Sequence, residues 1–139
     1  TNASERERCL NYFKEKDFAT HRPYTNEDRR SEEFLKEYYR EIRRHKFSIC
    51  PFGTGFDCHR IWQTLILNSF PIVMEHRTME EFYDLPIWFV KDWHDITEES
   101  IRDKYKEMVD KYDKGLYNMD KLWFDYWSDK VNACVPINN

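Results

Sequence analysis

Phe47-Ser48-Ile49-Cys50-Pro51-Phe52-Gly53-Thr54-Gly55-Phe56-Asp57-Cys58-His59-Arg60-Ile61-Trp62-Gln63-Thr64-Leu65 is the stretch that decides the fold. Phe47 to Cys50 reads as a short buried strand that stops at Pro51, a residue with no N–H to give to a strand ladder. Phe52 to Phe56 carries glycines at 53 and 55 and reads as a turn. A helix follows from about Asp57 to Asn68, with Asp57 as its cap. Ile61, Trp62, Leu65 and Ile66 give that helix an apolar breadth that implies burial against a sheet.

Outward from this stretch the same alternation continues. Upstream, Ser31 to His45 predicts a helix, with Ser31 as cap and Phe34, Leu35, Tyr38, Tyr39 and Ile42 at three- and four-residue steps. A further helix is expected from Ser4 to about Lys16, capped by Ser4, with acidic Glu5 and Glu7 in its first turn and Cys9, Leu10 and Phe13 on one face. Between the two helices, Phe18 to Thr20 has the look of a short strand ahead of a loop at Pro23. Downstream, Pro71 to Met74 and Ile87 to Val90 predict strands, with a short helix between them from Met79 to Tyr83. Thr97 opens a capping box for a helix through Ile101, Tyr105, Met108 and Tyr112, which stops at Gly115. An aromatic helix is expected at about 118–132, its core running from Met119 to Val131. Short apolar strands alternating with helices predict an α/β domain, a Rossmann-like parallel sheet flanked by helices on both faces.

In such sheets ligands bind beyond the carboxyl ends of the strands, and the only Gly-x-Gly of the chain lies after one strand and before a helix. Gly53 and Gly55 permit a tight turn and close approach of backbone amides, and the start of the next helix offers free N–H groups and partial positive charge to a phosphate. A diphosphate suits the corner formed by Gly53, Thr54 and Gly55. Arg60 could pair with it bidentately, or could make a surface ion pair instead; His59 could donate to phosphate or sugar. Gln63, one turn beyond His59, is placed to reach ribose hydroxyls or to stand as a polar residue on the exposed side of a buried helix. Asp57 caps, since its charge would repel a phosphate.

Composition narrows the classes. The 22 basic and 26 acidic residues are interleaved and leave a net charge of −4, so no basic field exists to follow a nucleic-acid backbone. No apolar run approaches the roughly 20 residues that span a bilayer, although a leader or anchor could lie upstream, which leaves cytoplasm and Golgi lumen open. Cys9, Cys50, Cys58 and Cys134 form no Cys-x-x-Cys pair and read as structural residues, with neither a metal site nor a disulfide framework. Asn2-Ala3-Ser4 fits a glycosylation sequon. Asp92-Trp93-His94-Asp95 clusters acids with a histidine but reads as a loop between strand and cap. Trp123, Phe124, Tyr126 and Trp127 read as a packing face.

The segments Lys46 to Leu65 and Phe70-Pro71-Ile72-Val73 resemble the C-terminal motif of exostosin-like glycosyltransferases. The resemblance extends over Phe82 to Val90 with Asp92-Trp93, and over Thr1-Asn2 with Glu5-Arg6. It implies the C-terminal half of a GT-B enzyme, which holds a UDP- or GDP-sugar donor without a bound metal while a missing N-terminal domain supplies acceptor contacts and the catalytic base. Carried over by position, Gly53, Gly55, His59, Arg60 and Gln63 line the donor site, and Arg6 is a second phosphate ligand. Two positions depart from the family pattern, which commonly has glutamate at residue 63 and glycine at residue 68, where this chain has Asn68. A carboxylate accepts from two ribose hydroxyls, and a glutamine offers one neutral acceptor, weaker by on the order of 1 kcal/mol.

The expectation is therefore a single donor-binding domain, residues 1–139, belonging to a larger protein and turning over poorly alone. Its partners would be a nucleotide sugar, a glycan acceptor and the other domain, with self-association as a further possibility because the first strand of such a sheet would precede Thr1. The rival is a non-catalytic interaction module that keeps the fold and binds a partner through its aromatic C-terminal surface.

Overall fold

The computed structural model describes residues 2–23, 25 and 27–134, without the side chains of residues 2–4 and 29. The sequon and the expected Ser4 cap fall on those undescribed side chains. Helix α1 spans Asn2–Phe13, starting ahead of Ser4, and α2 spans Glu32–Arg44. Strand β1 (Phe47–Ile49) leads through the glycine loop to α3 (His59–Ile66) and back to β2 (Phe70–Met74). A 3-10 helix at Arg77–Phe82 connects to β3 (Trp88–Val90), and α4 (Glu98–Asp113) and α5 (Phe124–Cys134) follow.

The three strands form one parallel sheet in the order β1-β2-β3, with Ile49 opposite Ile72 and Ile72 opposite Trp88. Successive side chains of a strand point to opposite faces, so Ile72 and Val73 enter different cores. On one face Ile72, Trp88 and Val90 pack with Cys9 and Phe13 of α1, Met108 of α4, and Trp93 and Ile96. On the other, Val73 and Ile87 pack with Cys50, with Ile61 and Leu65 of α3, and with Met79 and Leu85. Covering both faces explains why these strands read as unbroken apolar runs rather than alternating ones.

The caps of two helices follow their residues. The Ser31 side chain accepts from Phe34 N–H at 3.3 Å, and Thr97 and Ser100 exchange hydrogen bonds in a full capping box. Gly115, at φ +66, ends α4 in the left-handed region that glycine enters without strain. The same geometry suits the glycine that the exostosin-like resemblance places at residue 68: Asn68 follows α3 at φ 59, the only non-glycine with positive φ among the described residues.

Four expectations are corrected. Cys58, not Asp57, holds the N-cap position of α3, and the helix is shorter at both ends than Asp57 to Asn68. Asp57 instead accepts a hydrogen bond from Trp62 Nε1 at 2.5 Å, so its carboxylate is turned along α3 rather than onto the first N–H groups. Phe18 to Thr20 forms no strand; it runs as turn and coil against the α1 core. The C-terminal aromatic helix is two pieces, a 3-10 helix at Met119–Leu122 and then α5, parted at Trp123. The break follows from Lys121, which is 6% exposed and held by Asp84 Oδ1 at 2.7 Å, while its carbonyl accepts from Trp127 Nε1 at 2.8 Å.

Candidate functional site

The β1-to-α3 loop opens at the carboxyl ends of the strands. Three rings hold it. Phe52 and Phe56 meet edge-on at 4.3 Å between centroids, and Phe56 stacks on His76, just beyond β2, at 3.6 Å with planes 10° apart. Within the turn, Gly53 N–H donates to Gly55 carbonyl at 3.1 Å. Arg6, from α1, donates through Nε to the Phe52 carbonyl at 2.7 Å, and a Cβ on residue 53 would come within 3.0 Å of its Nη2. A side chain on residue 53 would press on the end of the Arg6 guanidinium, which would have to give by a few tenths of an ångström. Gly55 has open space where a Cβ would stand, so no protein group requires a glycine there.

Helix α1 is fixed in turn from its other side. Trp93 Nε1 donates to Glu5 Oε1 at 2.6 Å, and Tyr12 hydroxyl donates to Ile96 carbonyl at 2.8 Å. Glu5 and Arg6 are neighbours, so the buried Trp93 beyond β3 sets where the Arg6 guanidinium lies.

On the opposite wall, Tyr38 of α2 joins two side chains of α3. Its hydroxyl donates to Gln63 Oε1 at 3.0 Å and accepts from Arg60 Nε at 3.3 Å. Engaging the Gln63 oxygen turns its NH₂ toward other partners. Arg60 and Gln63 share one helical face at a three-residue spacing, and a single phenol orients both. Tyr38 was legible in the sequence only as an apolar-face residue of α2; the signal available was a polar tip on that stripe.

Arg6, Gly53, Thr54, Gly55, His59, Arg60 and Gln63 all line one cleft of about 1330 Å³ between α1, α2 and the glycine loop. The sequence named these seven from two distant segments, and the fold brings them to the same walls. Cys58 lines the cleft too. Its thiol is lowered to about 6, chiefly by a hydrogen bond from the Cys50 thiol, against the opposing effect of burial and with help from the Ile61 and Arg60 N–H groups and the Arg60 charge. Burial pushes Cys50, which is fully enclosed, well above the usual thiol range. A lowered thiol therefore sits at the start of α3 with a raised, enclosed thiol behind it, an arrangement the spacing of the cysteines did not suggest.

The Asp92 cluster behaves as the loop it was expected to be. Asp92 accepts from His94 N–H at 2.8 Å and Asp95 Oδ2 accepts from Asp92 N–H at 3.1 Å, closing a capping box around a 3-10 turn.

The architecture is that of an α/β domain whose small parallel sheet, flanked by helices, presents a strand-to-helix cleft of the kind that holds ligands in this class. The chain belongs to the RXYLT1 C-terminal domain family, whose model matches residues 1–132, an exostosin-family xylosyltransferase domain. That places it among glycosyltransferase-related proteins and agrees with the exostosin-like resemblance. No curated protein gives a significant match to the chain. No described helix is long and apolar enough to cross a membrane.

Proposed function

We propose that the cleft holds the nucleotide diphosphate of a sugar donor, and that the chain is the donor-binding half of a GT-B glycosyltransferase. The observation that carries this reading is the Tyr38 hydroxyl bridging Arg60 and Gln63 opposite Arg6 and the open backbone at Gly55. Two guanidinium groups line one cleft with a turn whose backbone a ligand can approach closely, which is what a diphosphate needs. During transfer, negative charge grows on the leaving diphosphate, and prepositioned Arg60 and Arg6 would stabilise it without reorganising. Gln63, with its oxygen held by Tyr38, would donate its NH₂ to a ribose hydroxyl oxygen, in place of the accepting carboxylate common at this position. His59, exposed in the first turn of α3, would donate to phosphate or sugar.

The family being a xylosyltransferase one, the sugar proposed is xylosyl, delivered to a glycan acceptor held with a second domain. Calorimetric titration with UDP, GDP and UDP-xylose tests the reading, with Arg60→Ala alongside. Saturable binding of one nucleotide that weakens roughly ten- to hundredfold in Arg60→Ala is the expected result. A folded chain that binds none of them directs attention to the rival module, which draws on Trp123 and Phe124, 62% and 81% exposed at the start of α5.

A further inference from the structure

A second cavity, of about 460 Å³, lies at the other end of the sheet, where the strands begin. Its lip is Arg43, Arg44, His45 and Lys46, the run that ends α2 and enters β1; its far wall is Tyr105, Val109 and Tyr112, spaced along one face of α4. No acidic side chain lines it, in a chain whose net charge is −4. This local reversal of sign is the feature that calls for a ligand.

The cations are not equally engaged. Arg44 is taken up by Glu41 at 2.8 Å and Glu37 at 3.3 Å, and His45 Nδ1 meets the Glu41 carbonyl at 2.7 Å. Arg43 forms no ion pair among the described residues, and Lys46 Nζ rests over the Tyr105 ring, 4.6 Å from its centroid. The backbone that carries them is stitched to the sheet. His45 carbonyl accepts from Ser69 Oγ at 2.9 Å, and Lys46 carbonyl accepts from Phe70 N–H at 3.1 Å. Asn68, held at positive φ by the end of α3, puts an exposed carboxamide on the rim.

The walls therefore combine two cations outside any ion pair among the described residues, a neutral donor and acceptor, and the ring of Tyr112, 44% exposed, beside a Tyr105 ring that packs on Phe47 and Phe70 beneath Lys46. Flat aromatic faces take the C–H faces of sugar rings, and cations beside them take a carboxylate, sulfate or phosphate. The size is within the range of small-molecule sites. A neutral sugar would leave Arg43 and Lys46 unused, and a nucleic-acid backbone would need a longer basic track than four consecutive residues.

We propose that this cavity binds an acidic sugar residue, its anionic group between Arg43 and Lys46 and its ring against the exposed face of Tyr112. The cavity lies at the end of the strands opposite the glycine turn; Arg44, His45 and Lys46 also border the donor cleft, whereas Arg43, Tyr105 and Tyr112 border this cavity alone, and the proposal stands whether or not the cleft takes a nucleotide. It would let the domain grip an acidic glycan at a distance from the reacting end.

The test is titration of the chain with glucuronic acid, glucose 6-phosphate and glucose, followed by backbone amide NMR shifts. The acidic sugars are expected to shift amides of residues 43–46 and 105–112 saturably, and glucose is not. Replacing both exposed cations, Arg43→Ala with Lys46→Ala, should weaken the acidic sugars about tenfold or more with an unchanged melting temperature, while Arg60→Ala leaves their affinity unaltered. Equal binding of glucose, shifts confined to residues 53–63, an undiminished affinity in the double variant, or no saturable shift would each overturn the proposal. Weakened nucleotide binding in Arg60→Ala alongside intact sugar binding would separate the two sites.

Discussion

Two connections leave the sheet at its carboxyl end and run into helices, and they spend their polar groups differently. The β3-to-α4 connection satisfies itself. Asp92 and Asp95 cap their own turn, Ser100 and Thr97 cap the next helix, and Trp93 fills the space beneath at 1% exposure. The β1-to-α3 connection does the reverse: its glycines leave backbone exposed, its first helical residues are His59 and Arg60, and its walls come from α1 and α2. The same topological position serves packing in one case and a cleft in the other. Which it serves depends on whether the loop carries its own capping carboxylates, because a turn that has bonded its N–H groups internally has none left for a ligand.

The largest effect should come from the closed connection. Trp93→Ala removes a buried indole and its bond to Glu5, and chemical denaturation should show a loss of about 3–5 kcal/mol. Because Glu5 adjoins Arg6, the same variant should also impair the open cleft; unimpaired nucleotide binding would break the link between the two connections. Arg60→Ala should act on the cleft alone. It should cost about 1.5–3 kcal/mol of nucleotide affinity, roughly ten- to hundredfold, with stability altered by no more than about 1 kcal/mol. Wild-type affinity in that variant would reduce the contrast to a difference in packing.

Tyr38→Phe sharpens the comparison further, since it deletes one hydroxyl and leaves the ring. Loss of the bridge should weaken nucleotide binding by about 1 kcal/mol, seen in the same titration. The smallest perturbation of the fold is chemical. Cys58 is lowered from 9.0 to about 6, so its iodoacetamide reaction should be half-maximal near pH 6, whereas an unstructured cysteine titrates at about 8.5. The sign for stability follows: a depressed folded value means that the Cys58 thiolate contributes fully above the unfolded value and that this contribution is lost as pH falls from about 9 through about 6. Cys50 has the opposite sign and matters only above the usual thiol range. Cys50→Ala removes the chief cause and should move the Cys58 midpoint upward; an unmoved midpoint would mean that the helix start and Arg60 suffice. Cys9, pushed up to about 12 mainly by burial, should stay unreactive.

Much of this is legible in the sequence alone. The strand, glycine turn and helix from Phe47 to Leu65 follow from local rules, as do the Ser31 and Thr97 caps and the stop at Gly115. Those rules act within one turn or one strand and need no partner. The errors come from particular side-chain contacts that the local rules leave out. Asp57 is a good capping residue by type, but Trp62 Nε1 competes for its carboxylate and Cys58 takes the position. The aromatic run after Met119 keeps helical spacing, yet burying Lys121 against Asp84 breaks it at Trp123. Phe18 has strand character, and its ring instead meets Phe13 edge-on in the α1 core.

The sequence by itself determined that this is an α/β chain with a glycine turn at the carboxyl end of its first strand, and it named the polar residues around that turn. It did so because hydrophobic period, turn residues and caps are short-range properties. Only the tertiary structure decided that Tyr38 holds Arg60 and Gln63 together across 22 and 25 positions, that Arg6 reaches Phe52 across 46, and that four basic residues ending α2 face tyrosines of α4. Those pairings depend on how helices settle on the two faces of the sheet, and no spacing along the chain encodes the angle at which they do so.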